Sequence, residues 1–198
     1  MNDIINILIV GVGGQGVILA SELLSEAAMA AGYDAKKSEV HGMAQRGGVV
    51  SSHVRFGPKV YSPLIPSGSA DVVLAFEAAE GLRWANQVTP EGMLVVNTQR
   101  IVPPIAFTKE YSYPVDPVAE ARQIVSRVVA MDALEIAHQV GNPKLVNTVL
   151  LGAISGELPI SDEIWTLIIR RRVPRGTEDL NLTAFKRGAA LAAQGIPA

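Results

Sequence analysis

The chain of 198 residues has no cysteine. That absence excludes disulfides, thiolate nucleophiles, zinc–thiolate sites and iron–sulfur ligation by this chain. Charge is sparse as well. Asp, Glu, Lys and Arg make up 18% of the residues and the net charge is −2, so there is no basic field to attract a nucleic-acid backbone. The one basic run, "RRRVPR" from Arg170 to Arg175, reads as cations on a helix C-terminus or as a subunit contact. No apolar run reaches the ~20 residues that a membrane span needs. The opening "MNDIINILIV" carries Asp3 and runs directly into a strand pattern, without the charge layout of a signal peptide. The expectation is a cytoplasmic protein with no membrane or nucleic-acid partner.

What is present is apolar. Hydrophobic residues make up 48% of the chain and the mean hydropathy is +0.27. Such an excess means either a well-filled interior or an apolar surface covered by a partner. The length suits one α/β domain spanning residues 1–198, with C-terminal helices from about 117 to 195 packed on it.

"IINILIV" (Ile4 to Val10) reads as a strand buried on both faces. After "GVGGQG" comes a helical pattern that includes Ile18, Leu19, Leu23, Ala27 and Ala30, closed by Gly32. "YDAKKSEV" reads as a second strand. This strand, glycine turn, helix and strand predict a Rossmann-like three-layer sandwich with a mostly parallel central sheet. From Val49 the sequence alternates: Val50, Ser52, Val54 and Phe56 share one face, Val49, Ser51, His53 and Arg55 the other. "VYSPLI" is expected to pair back as a hairpin after the "GPK" turn. "DVVLAF" and "GMLVVN" are further strands, separated by a helix starting at Glu77. Helices are predicted over "PVAEARQIVSRVVAM", over "DALEIAHQVG" with an Asp132/Glu135 capping box, from Asn142 and Pro143 onward, over "SDEIWTLIIRRR", and over the last amphipathic stretch.

Gly11, Gly13 and Gly16 fit G-x-G-x-x-G between a strand and a helix, with Gly14 and Gln15 inside the turn. Gly11 permits a tight turn, Gly13 lets backbone approach a ligand, and Gly16 lets helix pack on strand. The helix N-terminus then offers N–H groups to an anion. Three readings stay open: a turn that binds nothing, a phosphate or CoA contact, and a nicotinamide or flavin site with Glu39 as the acidic partner. The segment "SEVHGMAQRGGVVSSHVRFG" (Ser38 to Gly57) is polar, glycine-rich and without clear period in its first half. Arg46 and Arg55 are its candidate anion ligands, for a substrate carboxylate or a CoA phosphate; ion pairs with Glu39 or Glu77 are the alternative. His41 is a candidate proton donor or substrate contact, against a loop-ordering hydrogen bond. Met43 reads as an interface anchor, His53 as part of a polar or partner-facing strand face, His138 as an exposed cation at a helix end and Asn147 as a buried amide. No metal-ligand pattern appears.

"GVGGQG" followed by His41-Gly42-Met43, Gln45-Arg46-Gly47-Gly48 and Arg55, with "YP" at Tyr113 and "GNPKLVNTVLLGA" from Gly141, resembles the gamma-type subunit of 2-oxoacid:ferredoxin oxidoreductases. Within that family the resemblance is to the beta-subunit branch of the indolepyruvate enzymes. It implies a heteromer whose catalytic alpha subunit carries thiamine diphosphate with Mg²⁺ and 4Fe–4S clusters, in an alpha2beta2 assembly that passes electrons to ferredoxin. The implied reaction turns a 2-oxoacid, CoA and oxidised ferredoxin into acyl-CoA, CO₂ and reduced ferredoxin, with an aryl pyruvate as substrate. This chain, with no cysteine and no thiamine diphosphate motif, would not be active alone. A free-standing nucleotide-binding Rossmann-type enzyme and a non-catalytic scaffold module are the alternatives.

Overall fold

The computed structural model describes residues 4–41, 48–102 and 112–195. Arg46, Met43, Gly47 and the side chain of His41 therefore lie outside the described residues.

Six strands form one sheet in the order β2-β3-β1-β4-β5-β6. They are β1 (Ile5–Val12), β2 (Asp34–His41), β3 (Val49–Gly57), β4 (Ala70–Ala75), β5 (Val88–Asn97) and β6 (Val128–Met131). The ladders β1/β4, β4/β5 and β5/β6 are parallel. β3 runs antiparallel to both neighbours, so the sheet is mixed.

Side chains alternate across each strand and divide the interior into two layers. Ile7 and Ile9 of β1, Val54 and Phe56 of β3, Leu74 of β4 and Val95 of β5 join one apolar cluster. Leu8, Val10, Val73, Ala75, Leu94 and Val96 join the other. The first layer is covered by α1 (Val17–Ala30), α4 (Ala133–Val140), α5 (Val146–Ser155), α6 (Asp162–Arg172) and α7 (Glu178–Ala193). The second is covered by α2 (Ala78–Trp84) and α3 (Pro117–Ala121). This is the expected three-layer arrangement with a helical C-terminal part.

α5 is buried along its whole length and crosses α7 backbone to backbone. A Cβ on Gly152 would sit 2.0 Å from the Phe185 carbonyl oxygen, and one on Gly188 would sit 1.9 Å from that of Val149. The glycine in "VLLGA" is thus a helix-crossing residue. Thr148 Oγ1 and Asn181 Oδ1, 2.7 Å apart, satisfy each other inside the same contact. Arg170 pairs with Asp179, and Arg172 with Glu22 and Glu26 of α1. Part of the basic run is therefore an intrachain tie on the last turn of a helix.

Three expectations need correction. "VYSPLI" does not pair back as a hairpin, because both edges of β3 are already taken by β2 and β1. Residues 58–69 instead form a strap held by side chains. Asp34 accepts from Val60 N–H at 3.0 Å, Arg55 donates to the carbonyls of Ser62 and Leu64, and His53 Nδ1 accepts from Ile65 N–H at 3.2 Å. "PVAEARQIVSRVVAM" is not one helix. α3 stops at Ala121, and Val128–Met131 pair with Leu94–Asn97. The free edge of β5 captures β-branched residues that the helical period alone would keep in a helix. In α1, Ile18 and Ala30 face solvent, whereas Val17, Ala20, Leu24 and Ala28 join Leu23 and Ala27 in the core.

Candidate functional site

The helix after β1 packs on one face of the sheet and the helix after β4 on the other. The carboxyl ends of β1 and β4 therefore flank a topological switch point, where α/β proteins commonly bind ligands. The glycine turn lies there. Gly14 and Gly16 take the left-handed conformation, with φ of 101° and 89°, which a side chain would strain. Gly16 is the N-cap of α1 and supplies no side chain to it.

Gln15 fills the crevice. Its Oε1 accepts from Val12 N–H at 2.8 Å, and its Nε2 donates to the Phe76 carbonyl at 2.9 Å. Asn97 Nδ2 donates to the same carbonyl at 3.1 Å, while Asn97 Oδ1 accepts from Ala133 N–H. The side chain of Gln15 is thus a strut joining the ends of β1, β4 and β5. Gly11 is a glycine because of that strut: a Cβ there would meet Gln15 Oε1 and Phe76 Cβ at 2.9 Å and Val17 Cγ2 at 3.0 Å. The Gly13 N–H is bonded to the Gly48 carbonyl at 2.9 Å, and the Gln15 N–H to that of Val12. The first-turn N–H groups of α1 are left by helix geometry for an anion. Asn147, buried at the start of α5, lies 3.6 Å from where a Gly16 Cβ would be. Its Oδ1 accepts the N–H of Thr148.

The polar segment from Ser38 to Gly57 divides between two ends of the sheet. β2 ends at His41, and the chain returns at Gly48 beside the glycine turn. Val40 and Val49, next to His41 and Gly48 in the chain, are exposed. Arg55 is opposite Asn6, whereas Val49 is opposite Val12. Six residues of strand put Arg55 roughly 20 Å from the turn. It pairs with neither Glu39 nor Glu77. Its Nε donates to Asn6 Oδ1 at 2.8 Å, and Asn6 in turn bonds Asp71. Glu39 faces Lys37 at 2.7 Å. Burial, with help from Arg55, lowers the pKa of His53, in keeping with a neutral imidazole that accepts from Ile65. His138 is exposed in the last turn of α4, as expected.

A further cluster at the carboxyl rim was not foreseen. Glu77, 1% exposed, caps α2 by accepting from Glu80 N–H at 2.9 Å. Its other oxygen accepts from Ile101 N–H at 3.0 Å and from the Tyr113 hydroxyl. Burial first, then the Glu77 bond and charge, push the Tyr113 phenol well above the usual tyrosine range. Arg100 lies over the Tyr113 ring, 4.7 Å from its centroid. These residues come from three separated segments, so no local spacing announces them. Glu80 is buried beside Arg83, and burial raises its pKa.

Among the described residues no group of three or more His, Asp or Glu could hold a metal ion, and none of the helices described is long and apolar enough to cross a membrane. The full sequence has no cysteine. A chain without cysteine offers no thiolate to an iron–sulfur cluster.

The model of the pyruvate ferredoxin/flavodoxin oxidoreductase family matches residues 6–191. The chain belongs to this family. It is 40% identical over 197 residues to indolepyruvate oxidoreductase subunit IorB of Archaeoglobus fulgidus, covering 98% of each chain. It is 41% identical to the subunit of the same name from Thermococcus kodakarensis, covering 92% of this chain and 93% of that one. Identity to 2-oxoglutarate synthase subunit KorC of Methanothermobacter thermautotrophicus is 31%, over 96% of this chain and 95% of the other. Among solved structures, the gamma subunit of a keto/oxoacid ferredoxin oxidoreductase from Geobacter sulfurreducens superposes with a TM-score of 0.70 at 26% identity, covering 96% of this chain and 99% of that one.

The chain is thus a gamma/beta-type, non-catalytic subunit of a heteromeric 2-oxoacid:ferredoxin oxidoreductase, closely related to IorB-type subunits. Its lack of cysteine agrees with that place in the assembly. Within the family fold, the glycine turn is braced by its own glutamine, and the strand that carries Arg55 also holds the 58–69 strap.

Proposed function

We propose that this chain is the beta subunit of an indolepyruvate:ferredoxin oxidoreductase that converts aryl pyruvates to aryl-acetyl-CoA. The observation that carries this reading is a step in identity: 40 and 41% to two subunits named for indolepyruvate, against 31% to one named for 2-oxoglutarate. The catalytic alpha subunit supplies thiamine diphosphate, Mg²⁺ and 4Fe–4S clusters, and passes electrons to ferredoxin in a cytoplasmic alpha2beta2 assembly. The cofactors carry the decarboxylation and electron transfer. This chain, as a single domain, contributes shape and charge at the interface. The 41–48 connection, with Arg46 and His41, faces the catalytic chain. The exposed apolar side chains of Val40 and Val49, in the strands that flank it, support that orientation. The first turn of α1 after Gly16 is the place where this chain could touch a CoA phosphate. Arg55 serves to hold the strap rather than to reach substrate, which its bonds to Asn6, Ser62 and Leu64 support.

The test is viologen reduction by the complex reconstituted with its catalytic chain. Indolepyruvate and phenylpyruvate should give kcat/KM at least about tenfold above pyruvate and 2-oxoglutarate, a margin of about 1.4 kcal/mol in transition-state binding. Equal or reversed preference would reject the substrate assignment. Loss of activity in Arg46→Ala, with the chain still folded and in the complex, would place Arg46 at the active site; full activity would remove it.

A further inference from the structure

The geometry points to a small-anion site at the carboxyl rim, centred on Arg100 and Arg122 and separate from the glycine turn. The two arginines line a concavity of about 360 Å³ whose walls include Thr98, Val115, Val118 and Ala119. That volume lies in the range of small-molecule sites. It sits outside the ends of β4 and β5, on the side of the sheet covered by α2 and α3.

Arg100 is held more firmly than an exposed side chain ordinarily is. The backbone on either side of it is pinned to the start of α2: Gln99 C=O accepts from Ala78 N–H at 3.0 Å, and Ile101 N–H donates to Glu77 at 3.0 Å. Its guanidinium donates to the carbonyls of Val115 at 3.2 Å and Pro114 at 2.9 Å. It also stacks on Tyr113, whose hydroxyl is tied to the buried Glu77. A guanidinium fixed in this way has already lost its rotamer freedom, so a ligand gains the charge without having to order it. Arg122, at the end of α3, lines the same concavity. Asp116 also lines the concavity, and one of its oxygens accepts from Ala119 N–H as the cap of α3. Two positive groups, one of them fixed, against one capped carboxylate leave the concavity net positive. The valine and alanine walls suit an apolar body. The ligand class is therefore a phosphate or carboxylate group borne on an apolar or aromatic moiety, for which the planar donor fork of arginine is matched.

The experiment is an amide NMR titration of the full chain with inorganic phosphate, phenyl phosphate and benzoate in low-chloride buffer. Saturable shifts confined to Thr98, Arg100, Val118, Ala119 and Arg122 are expected. Phenyl phosphate should bind more tightly than inorganic phosphate because of the apolar walls. Arg122→Ala should weaken binding about tenfold or more, the loss of one charge-assisted contact, with an unchanged amide fingerprint elsewhere. Arg100→Lys, which keeps the charge and removes the fork, should weaken it as well. A benzoate affinity above that of phenyl phosphate assigns a carboxylate ligand, and the reverse order a phosphate. Absence of saturable shifts with all three probes, binding unchanged in Arg122→Ala, or shifts centred on Gly11–Gly16 would each overturn the site.

Discussion

Two places on the same rim of the sheet have been built in opposite ways. At the end of β1, a motif associated with nucleotide binding is braced from within, and Gln15 fills the crevice. At the ends of β4 and β5, a concavity stays open and one of its arginines is locked. The first place has the sequence signature and the second has none. A glycine pattern records the need for backbone freedom and close packing; it does not record what occupies the space so created. Here the space beside Gly11 holds the chain's own amide.

Substitutions can break this comparison, because a filled site should lose stability and an open one should lose only ligand. The largest effect is expected for Gly11→Ala, which drives a methyl group into Gln15, Phe76 and Val17. A loss of about 3 kcal/mol, the upper end of overpacking costs, should appear in denaturant unfolding. Gln15→Ala should cost about 2 kcal/mol, since it strands the Val12 N–H. The double variant should lose less than the sum, because Gln15 is part of what the new methyl group strikes. Additive losses would mean that Gln15 does not fill the crevice.

Tyr113→Phe comes next, with about 1.5 kcal/mol from the lost bond to a carboxylate. It also carries a pH signature. The folded-state pKa of Tyr113 is raised, so its stabilisation is complete below the unfolded tyrosine value near 10 and is lost as pH rises above that. The wild-type chain should lose stability above about pH 10 more steeply than Tyr113→Phe. His53 works in the opposite direction. Its pKa is lowered in the fold, so its contribution is present above the unfolded value near 6.5 and is lost as pH falls below it. Amide exchange in the 58–69 strap should rise as pH falls from 6.5, after correction for intrinsic rates, and His53→Gln should flatten that rise. The smallest effect is expected for Arg122→Ala, a change within about 0.5 kcal/mol. A loss comparable to that of Gln15→Ala would mean that the open site is a structural one.

The fold was legible wherever local chemistry acts alone. Asp132 accepting from Glu135 N–H, the left-handed Gly141 after α4 and the two-faced burial of β1 follow from short-range pattern. β6 was missed because its pairing with β5 is decided 34 residues away, at Leu94, by an edge that no local window contains. The hairpin expected after β3 failed for the related reason that both edges of β3 were already occupied. The site was less legible. Glu77, Arg100 and Tyr113 meet only after β4, β5 and the chain before α3 converge, and each alone reads as an ordinary surface or cap residue. The polar segment Ser38–Gly57 looked like one unit in sequence, yet a β-strand carries Arg55 to the far end of the sheet.

The central claim is that this chain is a required, cofactor-free partner of a catalytic chain. The most direct measurement purifies each chain alone and the co-expressed complex, and compares iron, thiamine diphosphate and 2-oxoacid-dependent viologen reduction in all three. The account predicts iron and thiamine diphosphate in the catalytic chain and the complex, neither in this chain, and full activity only in the complex. Iron or thiamine diphosphate bound by this chain alone, or equal turnover by the catalytic chain without it, would contradict the account.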